Sequence, residues 1–320
     1  MTLTELHYAT VLANTKHFGL AAEKCNVSQP TLSIAIKKLE SELGAEIFER
    51  TATNVLVTQI GGKIIDQCQR VLNEAALIKD IVVNEEDRLV SPLRIGAIYT
   101  IGPYLFPNFV SPLQKSAPDM PLIIEEGYTN SLRKRLRKGK LDVAIICLPF
   151  EELDVVVQPF FEEPFIVVLP SNHRLAKNSE IAPEDLKQEH VLLLGEGHCF
   201  RDQVIKSIPE INQHHNNLMT IETDSEAHSL ETLCTMVATG FGITILPQSA
   251  VKGSNFCSSC KTTLVTVPFE NDGPKRTTAI ASRAGFPRYK AIEAVRDAIY
   301  ASYNLSYDYK ILPKLANDNS

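Results

Sequence analysis

The hydrophobic pattern changes character at Ser91-Pro92, and that break constrains the fold more than any other feature of the chain. Beyond it, apolar runs at 93–97, 122–126, 143–147, 165–169, 191–194, 243–246, 264–267 and 278–281 have the length and composition of strands. Between them, 102–114, 131–138, 230–239 and 288–302 carry helix-spaced apolar positions. Alternation of this kind predicts an α/β fold of mostly parallel sheets with helices on both faces, and the stretch is long enough for two lobes.

Before the break the pattern is helical. Leu3, Leu6, Val11, Leu12 and Phe18 are broadly helix-spaced, and Leu20, Ala21 and Ala22 open a short second helix ending near Cys25. Asn26, Val27 and Ser28 form a tight polar turn. Ser28 is a good N-cap and Pro30 suits a first turn; Leu32, Ile36, Leu39 and Leu43 then make an apolar stripe closed by Gly44. Residues 47–58 read as a two-stranded hairpin, or wing, around a polar centre. From Gln59 to Glu86 no proline intervenes, and Ile60, Ile64, Cys68, Val71, Ala75, Ile78 and Val82 recur at threes and fours. One side of that long helix wants a partner helix, which suggests a dimer seam.

At 320 residues the chain should hold more than one domain, and 44% hydrophobic with 22% charged residues is the balance of a soluble folded protein. No apolar run approaches the roughly 18 residues of a membrane span, and the start MTLTELHYAT lacks the features of a signal peptide, so a cytoplasmic protein is expected. Net charge is -6, and residues 1–58 hold five Lys or Arg against six Asp or Glu. Bulk electrostatics therefore does not announce a nucleic-acid partner, and any DNA-binding claim rests on motif geometry.

That geometry is present. In a helix-turn-helix the second helix enters the major groove with its N-terminal side chains on base edges. Here it opens with Ser28, Gln29, Pro30, Thr31 and Ser33. Gln29 can pair with adenine, Thr31 and Ser33 can meet bases or phosphates, Arg50 in the wing can grip the backbone or minor groove, and Lys37 and Lys38 suit phosphates. The same spacing also fits a plain three-helix bundle. The run AAEKCNVSQPTLSIAIKKLESELGAEIFERT, however, resembles the signature of the LysR family of transcription factors.

The resemblance extends over nearly the whole chain. It implies a winged helix-turn-helix at 1–58, a dimerising linker helix at 59–89 and a sensor at 90–310 made of two Rossmann-like lobes resembling periplasmic binding proteins. Lobe I would hold 92–162 and 268–304, lobe II 163–267, and 311–320 would be a loose tail. Double-stranded promoter DNA, a second copy of the chain in a homodimer or homotetramer, and RNA polymerase are the implied partners.

The segment GEGHCFRDQ places Cys199 where a loop enters a helix, beside Arg201. Helix N-termini and nearby cations lower a thiol's pKa, and a thiolate there could attack peroxide oxygen to give a sulfenic acid. GHC.RDQ at 197–203, TIGPYL at 100–105, the threonine at 129, SLETL at 229–233, GFGITILP at 240–247 and KRT at 275–277 resemble the peroxide-sensing branch of the LysR family. That resemblance implies Cys199 as the peroxide-reactive thiol, with Thr100, Thr129, His198, Asp202 and Arg276 holding peroxide or its reduced oxygen. It also exposes a departure. The branch carries a resolving cysteine nine residues after the first, and here that position is Ile208, followed by Pro209. Cys234, Cys257 and Cys260 are the possible substitutes.

Cys25, Cys68 and Cys147 lie on apolar faces and read as core thiols. The CSSC at 257–260 has no second CxxC pair, and the G-x-G at 240–242 precedes a strand and lacks a third glycine, so neither a metal nor a cofactor is expected. Two other functions compete. One is a LysR-type regulator answering to a small molecule between the lobes, supported by the missing resolving position. The other is a thiol peroxidase, opposed by the absence of a recycling cysteine near Cys199 in sequence.

Overall fold

A computed structural model describes residues 1–50, 55–84, 89–152, 154–212, 218–220, 229–252, 263–271, 273–303 and 310–312. The chain forms two compact units, one holding Met1–Asp87 and the other most of the chain from Arg88 onward.

In the first unit, α1 (Leu3–Thr15) starts at a capping box in which Thr2 and Glu5 exchange hydrogen bonds. Helix α2 (Phe18–Lys24) and a turn lead to α3 (Gln29–Leu43), capped by Ser28, with proline in its first turn and Gly44 left-handed at its end (φ 64°). Leu6, Ala9 and Leu12 of α1 meet Leu32, Ile36 and Leu39 of α3 in one buried core. The carboxylate of Glu40 accepts the N–H groups of Ile47 and Phe48, which aims the chain into the wing strands β1 (Phe48–Arg50) and β2 (Val55–Val57). The wing's polar centre, 51–54, lies outside the described residues. Helix α4 (Gln59–Asn84) sets Cys68 and Ile64 on the core, while Ile60, Val71 and Ile78 stand exposed.

The second unit runs β3 (Leu93–Ile98), α5 (Gly102–Ser116), β4 (Leu122–Gly127), α6 (Thr129–Arg137), β5 (Val143–Cys147), β6 (Val155–Pro170), β7 (Val191–Leu193), α7 (Cys199–Ser207), β8 (Leu218–Thr220), α8 (Leu230–Ala238), β9 (Ile243–Pro247), α9 (Gln248–Lys252), β10 (Leu264–Pro268), β11 (Lys275–Arg283), α10 (Tyr289–Tyr303) and β12 (Lys310–Ile311). The strands lie in the order β4-β3-β5-β11-β6-β9-β7-β8, with β10 and β12 also paired to β6.

The expectation of mostly parallel sheets is corrected here. Among the described strands, parallel pairing joins β4-β3-β5 and β8-β7-β9, while every pairing of β6, and that of β11 with β5, is antiparallel. The chain leaves the first lobe along β6 and returns along β11, so these two central strands must run in opposite directions. β6 is long enough to serve both lobes: Val155–Pro164 pairs with β11, and Phe165–Val168 with β9.

Candidate functional site

The C-terminal ends of β3 and β4 and the start of α7 converge on one small cavity. Its lining is Ile98, Tyr99 and Thr100 after β3, Gly127, Tyr128 and Thr129 after β4, and Gly197, His198 and Cys199 at α7. Carboxyl ends of parallel strands are where open α/β sheets ordinarily hold ligands. Gly197 takes φ +90°, a conformation that side chains rarely adopt, and so turns the chain to present His198 and Cys199 together. The rings of Tyr99, Tyr128 and His198 meet at centroid distances of 5.2, 6.1 and 4.8 Å. The cavity holds about 10 Å³, roughly the space one water needs. The innermost space has room for a molecule the size of water or peroxide.

Cys199 opens α7, and its residue keeps some surface while its thiol is largely enclosed by protein. Burial pushes the thiol up from the ordinary cysteine value. Thr129, the Arg276 cation and the Cys199 backbone N–H oppose this, and the Asp202 charge adds to it. A thiol lowered by the helix start and the neighbouring Arg201 is thus not what the structure has: the groups that most favour the ionised sulfur are Thr129 and the distant Arg276, and desolvation outweighs them. Thr129 Oγ1 is buried and makes no hydrogen bond of normal geometry, so its proton is available to the sulfur or to a molecule in the cavity.

Arg276 stands behind the cavity rather than lining it. Nη1 donates to Thr100 Oγ1 at 2.9 Å and Nη2 to the Thr100 carbonyl at 3.0 Å, while the guanidinium carbon lies 5.2 Å from the Phe200 ring centroid. Nε donates to Glu163 Oε2 at 2.7 Å, in an ion pair whose side chains are 0% and 1% exposed. Burial pulls the guanidinium down, but the Glu163 charge beside it holds it above its usual value. Asp202 departs from its expected place: its side chain is 75% exposed, 3.9 Å from Arg201, and it is not part of the cavity lining.

The other described thiols are buried or half-buried, and burial raises each of them. Cys234 sits in the lobe II core on α8, pushed up to about 12 by burial and the neighbouring Glu231. Cys147 is also pushed up to about 12 by burial, and it feels both Arg276 and Cys199. Of these two thiols it is Cys147, not Cys234, whose surroundings include Cys199. Cys257 and Cys260 lie outside the described residues. Ile208 is fully buried in the lobe II core.

On α3, Gln29, Pro30, Thr31 and Lys37 are exposed and Ser33 half-buried. Thr31 Oγ1 lies 2.7 Å from Ser28 Oγ, so that hydroxyl pair is part of the cap. Lys38 is engaged within the unit, donating to Glu5 at 2.8 Å. Arg50 ends β1, and its side chain lies outside the described part of the chain. Among the described residues no helix is long and apolar enough to cross a membrane, and no group of three or more His, Cys, Asp or Glu could hold a metal.

Sequence reasoning missed Tyr99, Tyr128 and Glu163. A signal for the first two was present: Thr100, Thr129 and Cys199 each directly follow an aromatic ring.

Residues 3–62 match the bacterial regulatory helix-turn-helix protein model of the lysR family, and 86–303 match the LysR substrate binding domain. The chain belongs to the LysR family of bacterial regulators. The DNA-binding transcriptional dual regulator OxyR of Escherichia coli K12 is 36% identical to it over 308 residues, 96% of this chain and 98% of that protein. A hydrogen peroxide-inducible genes activator of Haemophilus influenzae is 36% identical over 93% of this chain and 96% of its own length. A full-length OxyR cysteine-to-aspartate variant from Pseudomonas aeruginosa superposes with a TM-score of 0.76 at 46% identity, covering 97% of this chain and 99% of that one. A hydrogen-peroxide-bound OxyR cysteine mutant from Corynebacterium glutamicum gives 0.63 at 30%, covering 95% and 93%.

Proposed function

We propose that this LysR-type regulator senses hydrogen peroxide through Cys199 and passes the signal to promoter DNA. The observation that carries the reading is the small cavity lined by Cys199, Thr129 and Thr100, with Thr129 beside the sulfur and Thr100 backed by a buried cation. The Cys199 thiol gives up its proton, the thiolate attacks one peroxide oxygen, the S–O bond forms as the O–O bond breaks, and the departing hydroxide takes up a proton. A thiol and hydrogen peroxide thereby become a sulfenic acid and water. Hydroxyl donors and the cation stabilise the charge that develops on the leaving oxygen. The name of the Haemophilus influenzae relative, a hydrogen peroxide-inducible genes activator, supports the peroxide part of this reading, and that of the Escherichia coli relative, a DNA-binding transcriptional regulator, supports the DNA part.

On this reading 1–58 bind DNA through Gln29, Pro30, Thr31, Ser33, Lys37 and Arg50, 59–89 pair two copies through the exposed apolar side of α4, and 90–310 sense peroxide. The lobes are 92–162 with 268–304, and 163–267. RNA polymerase is the downstream partner, the cytoplasm the compartment, and oxidation a signal rather than a turnover. Allostery then requires two states that differ in DNA contact, one of them favoured by oxidation.

The buried Ile208 favours a second reading, a regulator answering to a metabolite between the lobes. Footprinting on the cognate promoter separates the two: peroxide should change the wild-type footprint and leave that of Cys199→Ser unchanged. A wild-type footprint indifferent to peroxide would remove the redox reading.

A further inference from the structure

We infer that Glu163 is a positioning residue for the Cys199 site: by fixing Arg276 from behind, it sets the Thr100 hydroxyl to donate into the cavity. This rests on the peroxide reading and deepens it. Glu163 lies on β6, Arg276 on β11 and Ser249 in the first turn of α9, all buried. The Glu163 carboxylate accepts on both oxygens, Oε1 from the Ser249 N–H at 2.6 Å and Oε2 from Arg276 Nε at 2.7 Å. With Nε and Nη2 both 2.7 Å from Glu163 Oε2, the planar guanidinium is held in one orientation, and Nη1 and Nη2 reach the Thr100 hydroxyl and carbonyl oxygens at 2.9 and 3.0 Å.

A threonine hydroxyl has one proton to give and lone pairs to receive. Because Thr100 Oγ1 receives from Arg276, its own proton is left to point elsewhere, and Thr100 lines the cavity. That leaves a donor at the cavity wall for the oxygen that departs from peroxide. Glu163 also offsets a buried cation that would otherwise stand uncompensated among Phe200, Tyr104 and Cys147. A carboxylate is the side chain the place requires, since it meets an N–H on each side. An amide would turn its NH₂ toward one of those donors.

The test measures, on the full-length chain, the rates at which Cys199 reacts with hydrogen peroxide and with iodoacetamide, across pH. Iodoacetamide needs the thiolate but no donor from Thr100. In Glu163→Asp, which keeps the charge and withdraws the carboxylate, the peroxide rate should fall at least about tenfold relative to the iodoacetamide rate. In Glu163→Gln that ratio should fall similarly, while the iodoacetamide pH profile moves to lower pH because the Arg276 charge near the sulfur is less compensated. A merely structural role would move neither the ratio nor the profile. Ser249→Pro removes one N–H in a first helical turn, where proline is tolerated, and should also lower the ratio, so the inference is testable if the Glu163 variants fold poorly.

If the folded variants keep the wild-type ratio within about twofold, the inference is overturned and the peroxide reading stands. If wild-type Cys199 reacts with peroxide no faster than an ordinary thiol, the peroxide reading fails first, and with it this one.

Discussion

Gln203 on α7 donates its Nε2 hydrogen to the Leu148 carbonyl just beyond β5, at 2.9 Å, and so ties the helix that begins at Cys199 to the opposite lobe. A movement of α7 away from β5 would break this bond. Gln203→Ala should cost about 1 kcal/mol of stability, the net worth of a typical hydrogen bond. It should also speed amide exchange along 199–207 in the reduced protein. Hydrogen exchange read by mass spectrometry checks this, and unchanged protection across α7 would remove Gln203 as a restraint.

Burial raises the Cys199 thiol, so the protonated form predominates at neutral pH. Its thiolate fraction therefore grows roughly tenfold per pH unit below its pKa. Alkylation of Cys199 should climb from about pH 6 to beyond about pH 8.5 with no neutral plateau. Thr129→Val, which removes a group that favours the ionised sulfur, should slow it several-fold at a given pH. A plateau below pH 7 would show an ionised resting thiol instead.

Lys38, with help from Thr2, holds the Glu5 carboxyl down at about 2. A carboxyl lowered in the folded state stabilises above its unfolded pKa, near 4.5, and loses that contribution as pH falls toward 2. Wild type should thus be more stable than Glu5→Gln at pH 6, and the difference should shrink through pH 4 to 2. Acid titrations of the two proteins, followed by circular dichroism, would contradict this if the gap stayed constant.

The exposed cap of α3 makes separable claims for DNA. Lys37→Ala should weaken binding to all sequences alike and reduce the salt slope by about 1. Gln29→Ala should cost about 1–3 kcal/mol on the cognate site and little elsewhere. Competition binding across salt concentrations distinguishes them, and equal losses on cognate and random DNA for Gln29→Ala would remove its assigned role.

Helix α3 was legible in sequence because Ser28, Pro30 and Gly44 bracket its apolar stripe with local chemistry. The first half of β6 was not: Pro159 and Pro164 argue against a strand, and the structure accommodates Pro159 beside a register shift at Thr278/Ala279. Glu163 was invisible because its partners Ser249 and Arg276 lie 86 and 113 residues away. The direction of the Cys199 shift was misjudged for a related reason. A helix start can be seen in sequence, whereas the desolvation that outweighs it comes from packing between distant elements.

Mass spectrometry of the full-length protein after brief, near-stoichiometric peroxide, with the sulfenic acid trapped, tests the central claim most directly. Cys199 should gain one oxygen before any other thiol, whether it then stays a sulfenic acid or passes to a disulfide, with Cys147 a partner to look for. Peroxide that oxidises other cysteines while Cys199 stays reduced would contradict the account.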